Sequence, residues 1–259
     1  MSGSGATTNI LFLGTAGSGK TTIVHRFGLW LKDNFGYSVG YINLDPACLE
    51  LPFNAGFDVR SLITTNEIMK KEKLGPNAAI VKCSDLMAEQ ADEIAESIGK
   101  VNCEFRLLDS PGQTEIFVFR ESGPKIVAAL SNKDYTVCVT LFDKLLTLTP
   151  VDIATAQLMS LVIQLRIGVP MITAVSKADL FPESDIDALL TDQSLLLEAI
   201  EKEGGKHGVY GDLSLRLASI IRSFKSPARI VKTSAIERTG FTELLDIINE
   251  TACSCGDLT

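Results

Sequence analysis

Between a short apolar run and a helical pattern lies Gly14-Thr15-Ala16-Gly17-Ser18-Gly19-Lys20-Thr21-Thr22. Glycine, four residues, glycine, lysine and a hydroxyl residue constrain the fold strongly, because this spacing works only between a buried strand and the start of a helix. Both neighbours are present: Asn9 to Leu13 is a β-branched and aromatic run, and the periodicity of Thr21 to Phe35 is helical. Glycines let the backbone wrap until its N–H groups point at phosphate oxygens, and the helix start adds a favourable dipole. Gly14, Ala16, Gly17, Ser18, Gly19, Lys20, Thr21 and Thr22 are therefore candidate phosphate-binding residues, with Lys20 reaching the β and γ phosphates and the Thr21 hydroxyl available to magnesium.

The strand-then-helix order repeats. Strands are expected at 38–45, 78–83, 104–109, 135–143, 169–176 and 228–234, and helices at 85–99, 121–131, 152–167, 185–204 and 240–252. Nearly continuous apolar strands alternating with helices imply an α/β fold, a single doubly wound, mostly parallel sheet covered on both faces. With 259 residues, 46% of them hydrophobic, the chain has enough material for one such domain. We expect a flexible tail at 1–8, a phosphate-loop domain at 9–252 with helical insertions at about 46–77 and 180–227, and a C-terminal tail at 253–259. Ligands of such sheets bind at the carboxyl ends of the strands, so Asp45, Asp109, Asp143, Ser176 and Ser234 are expected on one rim.

A net charge of -8 argues against a broad footprint for nucleic acid. The stretch from Ile153 to Val175 is broken by Arg166 and Gly168-Val169-Pro170, so a helix and a strand are expected there rather than a membrane span. The six cysteines are scattered, which fits a reducing cytoplasm, and Cys253 with Cys255 is too small a set for a metal site. His25 and His207 are expected to have no catalytic part, His25 packing or facing solvent on its helix and His207 lying in a flexible loop.

Asp109 ends an apolar strand and opens Asp109-Ser110-Pro111-Gly112-Gln113. A carboxylate there holds magnesium through water, Gly112 offers a backbone N–H to a γ-phosphate, and Gln113 orients the attacking water. Asp45, in Asn43-Leu44-Asp45-Pro46-Ala47, either caps a following helix or joins Thr21 and Asp109 around the metal. In Ser176-Lys177-Ala178-Asp179, the aspartate accepts two hydrogen bonds from guanine N–H groups while the lysine stem covers the ring. In Thr233-Ser234-Ala235 the Ala235 N–H faces the guanine carbonyl.

Gly75-Pro76-Asn77 reads by itself as a plain turn between the charged run Lys70 to Lys73 and an apolar segment. Placed between the second carboxylate and the Asp-x-Pro-Gly motif, it makes the chain resemble the GPN-loop GTPases from about Asn9 to Ala252, including Asp58-Val59-Arg60. The resemblance implies GTP as substrate and GDP as product, magnesium as cofactor, and a homodimer or paralogue heterodimer. In that arrangement Gly75, Pro76 and Asn77 reach the partner's γ-phosphate, and Lys20, Asp45, Asn77, Asp109 and Gln113 form the catalytic set. Two departures stand out: Ser176 replaces the asparagine of many GTPases, and there is no long acidic tail, as in the compact archaeal members.

A nucleotide-driven switch or assembly factor is the leading expectation. The alternative is a GTP-gated module that binds a client, such as RNA polymerase or another complex under assembly, with hydrolysis as a slow timer. A kinase or a metal-insertion GTPase is the third. The expectation includes no direct nucleic-acid partner and no membrane.

Overall fold

The computed structural model describes residues 7–180, 185–204, 212–213, 216, 219–220 and 230–256. Its centre is a sheet of seven strands, all parallel among the described residues, in the order β3-β2-β4-β1-β5-β6-β7. These are β1 (Thr8–Gly14), β2 (Val39–Asn43), β3 (Phe57–Asp58), β4 (Phe105–Asp109), β5 (Tyr135–Asp143), β6 (Met171–Ser176) and β7 (Ile230–Lys232).

The inner strands are buried on both faces, which explains their unbroken apolar runs. Along β1, Ile10 and Phe12 pack on one side with α1 (Lys20–Phe35) and the last helix, α10 (Phe241–Gly256). Leu11 and Leu13 point the other way, into a layer built from α2 (Thr65–Glu72), α3 (Pro76–Glu89), α4 (Ala91–Gly99), α5 (Thr114–Phe119), α6 (Ser122–Ser131) and α7 (Pro150–Ile167). A smaller cluster joins α7 to α8 (Asp185–Thr191) and α9 (Gln193–Gly204). The pairing Asn43 with Asp109, Asp109 with Phe12, and Asp143 with Ser176 brings those strand ends to one rim.

Two expectations about elements are corrected. Residues 78–83 are helical, because Gly75 caps α3, Pro76 occupies its first turn, and Ala79, Cys83 and Met87 recur at four-residue spacing toward the core. A proline at that position loses no helical hydrogen bond, since the first N–H groups of a helix have no partner within it. The insertion at 46–77 is only partly helical: a loop runs to Gly56, β3 extends the sheet, a single turn of 3-10 helix covers Val59–Ser61, and α2 follows. Much of the expected insertion at 180–227, with His207, lies outside the described residues, as do residues 1–6 and 257–259 of the expected tails. The final helix continues to Gly256.

Candidate nucleotide site

α1 begins without a side-chain cap, on Gly19 at φ 88°. Its first N–H groups face the loop that follows β1, ready for an anion. By contrast α7 has a complete capping box between Thr149 and Asp152. Gly14 adopts φ 151°, and a Cβ there would come within 2.5 Å of the Leu141 carbonyl oxygen and 2.7 Å of Ser18 Oγ. Only glycine lets the loop close so tightly on β5.

Lys20 folds back on this loop. Its Nζ donates to the carbonyl oxygens of Gly14 (2.6 Å) and Thr15 (3.1 Å). Burial lowers its pKa, while the carboxylates of Asp109, Asp45 and Glu115 oppose that shift. The Thr21 hydroxyl donates to Asp109 Oδ2 at 2.6 Å. Asp109 is 2% exposed, and its other oxygen, Oδ1, is buried with no hydrogen-bond partner. Burial pushes its pKa up to about 6, against the hydrogen bond from Thr21 and the charge of Lys20. An orphaned carboxylate oxygen beside a threonine hydroxyl fits a hard divalent cation such as magnesium, which takes oxygen ligands.

Asp45 ties two loops together. Its Oδ1 accepts from the Ala47 N–H at 2.8 Å, and its Oδ2 accepts from the Gly112 N–H at 3.2 Å. The bond from Ala47 matches the capping alternative, while the bond from Gly112 occupies the donor expected to meet a γ-phosphate. The Asp45 loop is itself braced by neighbouring side chains. Asn43 is fully buried and donates to Asp58 Oδ1 (2.9 Å) and to the Asp45 carbonyl (3.2 Å). Arg60 pairs with Asp58 at 2.6 Å and donates to the carbonyls of Cys48 and Leu49. Burial works against the charge on Asp58, yet the hydrogen bonds from Arg60 and Asn43 outweigh it and hold its pKa below the ordinary value.

Gln113 occupies the N-cap position of the short helix α5 without a side-chain capping bond. With Ala16, Asp45, Pro46, Gly112, Ile80 and Ser84 it lines a cavity of about 130 Å³ between the phosphate loop and α3. Gly75, Pro76 and Asn77 lie at the exposed start of α3, and the Asn77 side chain has no hydrogen bond to a described residue. The same helix thus reaches from the chamber beside Asp45 to an open tip bearing Asn77.

On the other side of the loop, a cavity of about 260 Å³ is lined by Gly19, Thr22, Ser176, Lys177, Asp179, Ala235 and neighbours. Asp179 Oδ1 accepts from the Ser234 hydroxyl at 2.5 Å. Its Oδ2 has no hydrogen bond to a described residue and remains for a base. Lys177 sits at φ 58° with its ammonium on Asp143 Oδ2 at 2.6 Å, which sets the stem along the cavity wall. Ser176, which stands where many GTPases have asparagine, shares its hydroxyl proton between the Ser18 carbonyl (2.7 Å) and the Phe142 carbonyl (3.2 Å). It braces the cavity, and that proton is not available to a base.

The rim therefore gathers every phosphate, metal and base candidate except Gly75, Pro76 and Asn77, which stand at the tip of α3. Sequence reasoning did not single out Glu115, Asn43 or Asp143 for the roles they take here. Only Asp143, as a polar strand end, was legible by pattern.

A parallel sheet with an uncapped, glycine-wrapped helix start and a Thr-Asp pair behind it defines the P-loop nucleotide-binding class. Residues 12–254 match the family described as "Conserved hypothetical ATP binding protein". The chain is 35% identical to the GPN-loop GTPase PAB0955 of Pyrococcus abyssi, over 96% of this chain and 99% of that relative. It is 31% identical to GPN-loop GTPase 1 of Dictyostelium discoideum, over 93% of this chain but 60% of that longer protein. The apo crystal structure of PAB0955 superposes with a TM-score of 0.86 at 33% identity, covering 96% of this chain and 98% of that one. The chain belongs to the GPN-loop GTPase family.

Proposed function

We propose that the chain hydrolyses GTP to GDP and phosphate with magnesium, as a dimer in which each subunit supplies Asn77 to the other. The observation that carries this reading is the conjunction on one rim of the phosphate cradle, the half-satisfied Asp109 and a base cavity bearing Asp179. Asp179 favours guanine, because a carboxylate accepts from the two N–H donors that guanine offers and adenine lacks. The ATP in the family description concerns a base for which the cavity has no such complement.

Thr21 and Asp109 would hold the metal, joined by Asp45, and the cation would there neutralise charge developing on the β and γ phosphates. Lys20 leaves the Gly14 and Thr15 carbonyls for those phosphates. The Gly112 N–H exchanges Asp45 for the γ-phosphate, which frees the Asp45 carboxylate, and Gln113 positions the attacking water. Asn77 is exposed on a helix start whose backbone Pro76 restricts, so the amide is presented from a fixed backbone position to a partner's phosphate.

The cellular role we propose is a nucleotide-driven switch in complex assembly, in the cytoplasm, a setting that suits the free thiols of Cys48, Cys83, Cys103, Cys138 and Cys253. A client that responds to it must bind the GTP and GDP states with different affinity.

The test is hydrolysis by wild type, Lys20→Ala, Asn77→Ala and an equal mixture of the two variants. Each variant alone should be nearly inactive, while random pairing in the mixture should restore about a quarter of wild-type turnover. Asn77→Ala turnover equal to wild type would exclude the action in trans, and wild-type turnover no better than Lys20→Ala would exclude the GTPase.

A further inference from the structure

We propose that Thr114 is a positioning residue for this hydrolysis, its hydroxyl clasping Gly14 so that Gly112 and Gln113 keep a fixed place against the phosphate loop. The role rests on the GTPase reading and adds to it a residue that no motif names.

Thr114 is 6% exposed, and its hydroxyl serves both backbone groups of one glycine. It accepts from the Gly14 N–H at 3.1 Å and donates to the Gly14 carbonyl at 2.5 Å. The partners are 100 residues apart in sequence, so this contact joins the end of β1 directly to the first residue of α5. Gly14 is already fixed by the close approach of Leu141 and Ser18, which makes it a firm anchor.

Two consequences follow for the reaction. Gln113 lies between two pinned points, the Gly112 N–H held by Asp45 and the Thr114 hydroxyl held by Gly14. When Gly112 turns to a γ-phosphate, its bond to Asp45 is given up; the Gln113 carbonyl stays bonded to the Ile116 and Phe117 N–H groups within α5, and the clasp ties that helix start, with Gln113, to the phosphate loop. The Gly14 carbonyl also accepts from Lys20 Nζ, which leaves for the phosphates when nucleotide binds. A buried carbonyl stripped of all its donors is costly, and the Thr114 hydroxyl keeps this one paired throughout the cycle. The loop then need not rearrange to release Lys20.

Valine matches threonine in shape and removes both bonds, while serine retains them. Thr114→Val should lower kcat for GTP by about 10- to 100-fold, the scale on which small misplacements of a reacting group act, with KM changed by less than about threefold. Thr114→Ser should recover kcat to within about threefold of wild type. Independently of turnover, the Gly14 amide should exchange hydrogen faster in the nucleotide-free Thr114→Val protein than in wild type or Thr114→Ser. If wild type outpaces Lys20→Ala and Thr114→Val keeps wild-type kcat, the clasp has no part in the reaction and the GTPase reading survives. A rise confined to KM, an equal loss in the serine variant, or an unchanged Gly14 exchange rate would each overturn the clasp in the same way. Wild-type turnover no greater than that of Lys20→Ala would overturn the GTPase reading itself, and the role of Thr114 with it.

Discussion

Asp109 is buried, ionisable and only half hydrogen-bonded. The rise of its pKa from 3.8 to about 6 corresponds, at about 1.4 kcal/mol for each tenfold change in proton affinity, to about 3 kcal/mol. Between about pH 4 and pH 6 the folded chain holds this proton while the unfolded chain has lost it. The contribution of the group to stability is therefore complete below about pH 4 and disappears as pH rises through 6. Without nucleotide, Asp109→Asn should raise Tm at pH 7 by several degrees and flatten the pH dependence across this window. The same variant should lose most GTP turnover, since its neutral amide is a poor ligand for magnesium. A lower Tm at pH 7 for the asparagine variant would mean that the charge is better compensated than its surroundings indicate. Residues of this kind are legible in sequence as motif members, but their discomfort is not. Nor is the service of Thr114 to Gly14, or of Arg60 to the carbonyls of Cys48 and Leu49, because no local spacing encodes a partner across the fold.

Among the elements, α3 carries the Gly-Pro-Asn tip, and its other contacts reach the helices that follow Gln113. Ser84 on α3 and Ser122 on α6 share a buried hydrogen bond at 2.8 Å, and Asp85 on α3 pairs with Arg120, just beyond α5, at 3.1 Å. The exposed ion pair adds little, about 0 to 1 kcal/mol. The serine pair matters more, because Ser84→Ala leaves the Ser122 hydroxyl buried and unpaired, a loss of about 1 to 3 kcal/mol. Urea unfolding of Ser84→Ala, Ser122→Ala and the double variant should show the double loss to be smaller than the sum of the single losses. Strict additivity would mean that the two hydroxyls are independent. This helix is also where the sequence misleads. Ala78 to Cys83 is a short apolar run, and periodicity cannot separate a buried strand from a buried helix over that length. The core strands β1, β4 and β5 were legible to within a residue at each end, because burial on both faces leaves an unbroken apolar signature. β3, with two residues at the sheet edge, leaves no such trace.

At the scale of the whole molecule, the placement of the site residues divides binding from chemistry. The phosphate cradle, Thr21, Asp109 and the base cavity all belong to one chain, so GTP affinity should be a property of the monomer. The Asn77 amide, exposed at the tip of α3, is the part that the proposed mechanism takes from a second copy. Dilution below the dimer dissociation constant should therefore lower turnover per subunit while leaving GTP affinity almost unchanged. Asn77→Ala should already be slow at high concentration and should show no further decline on dilution. Sedimentation at each concentration gives the dimer fraction, and turnover should follow it in proportion. Turnover that stays constant while sedimentation reports monomers would mean that one chain completes its own site. In that case the exposed Gly-Pro-Asn start would serve α3 as a helix cap alone, and the loss of Asn77 would leave hydrolysis untouched.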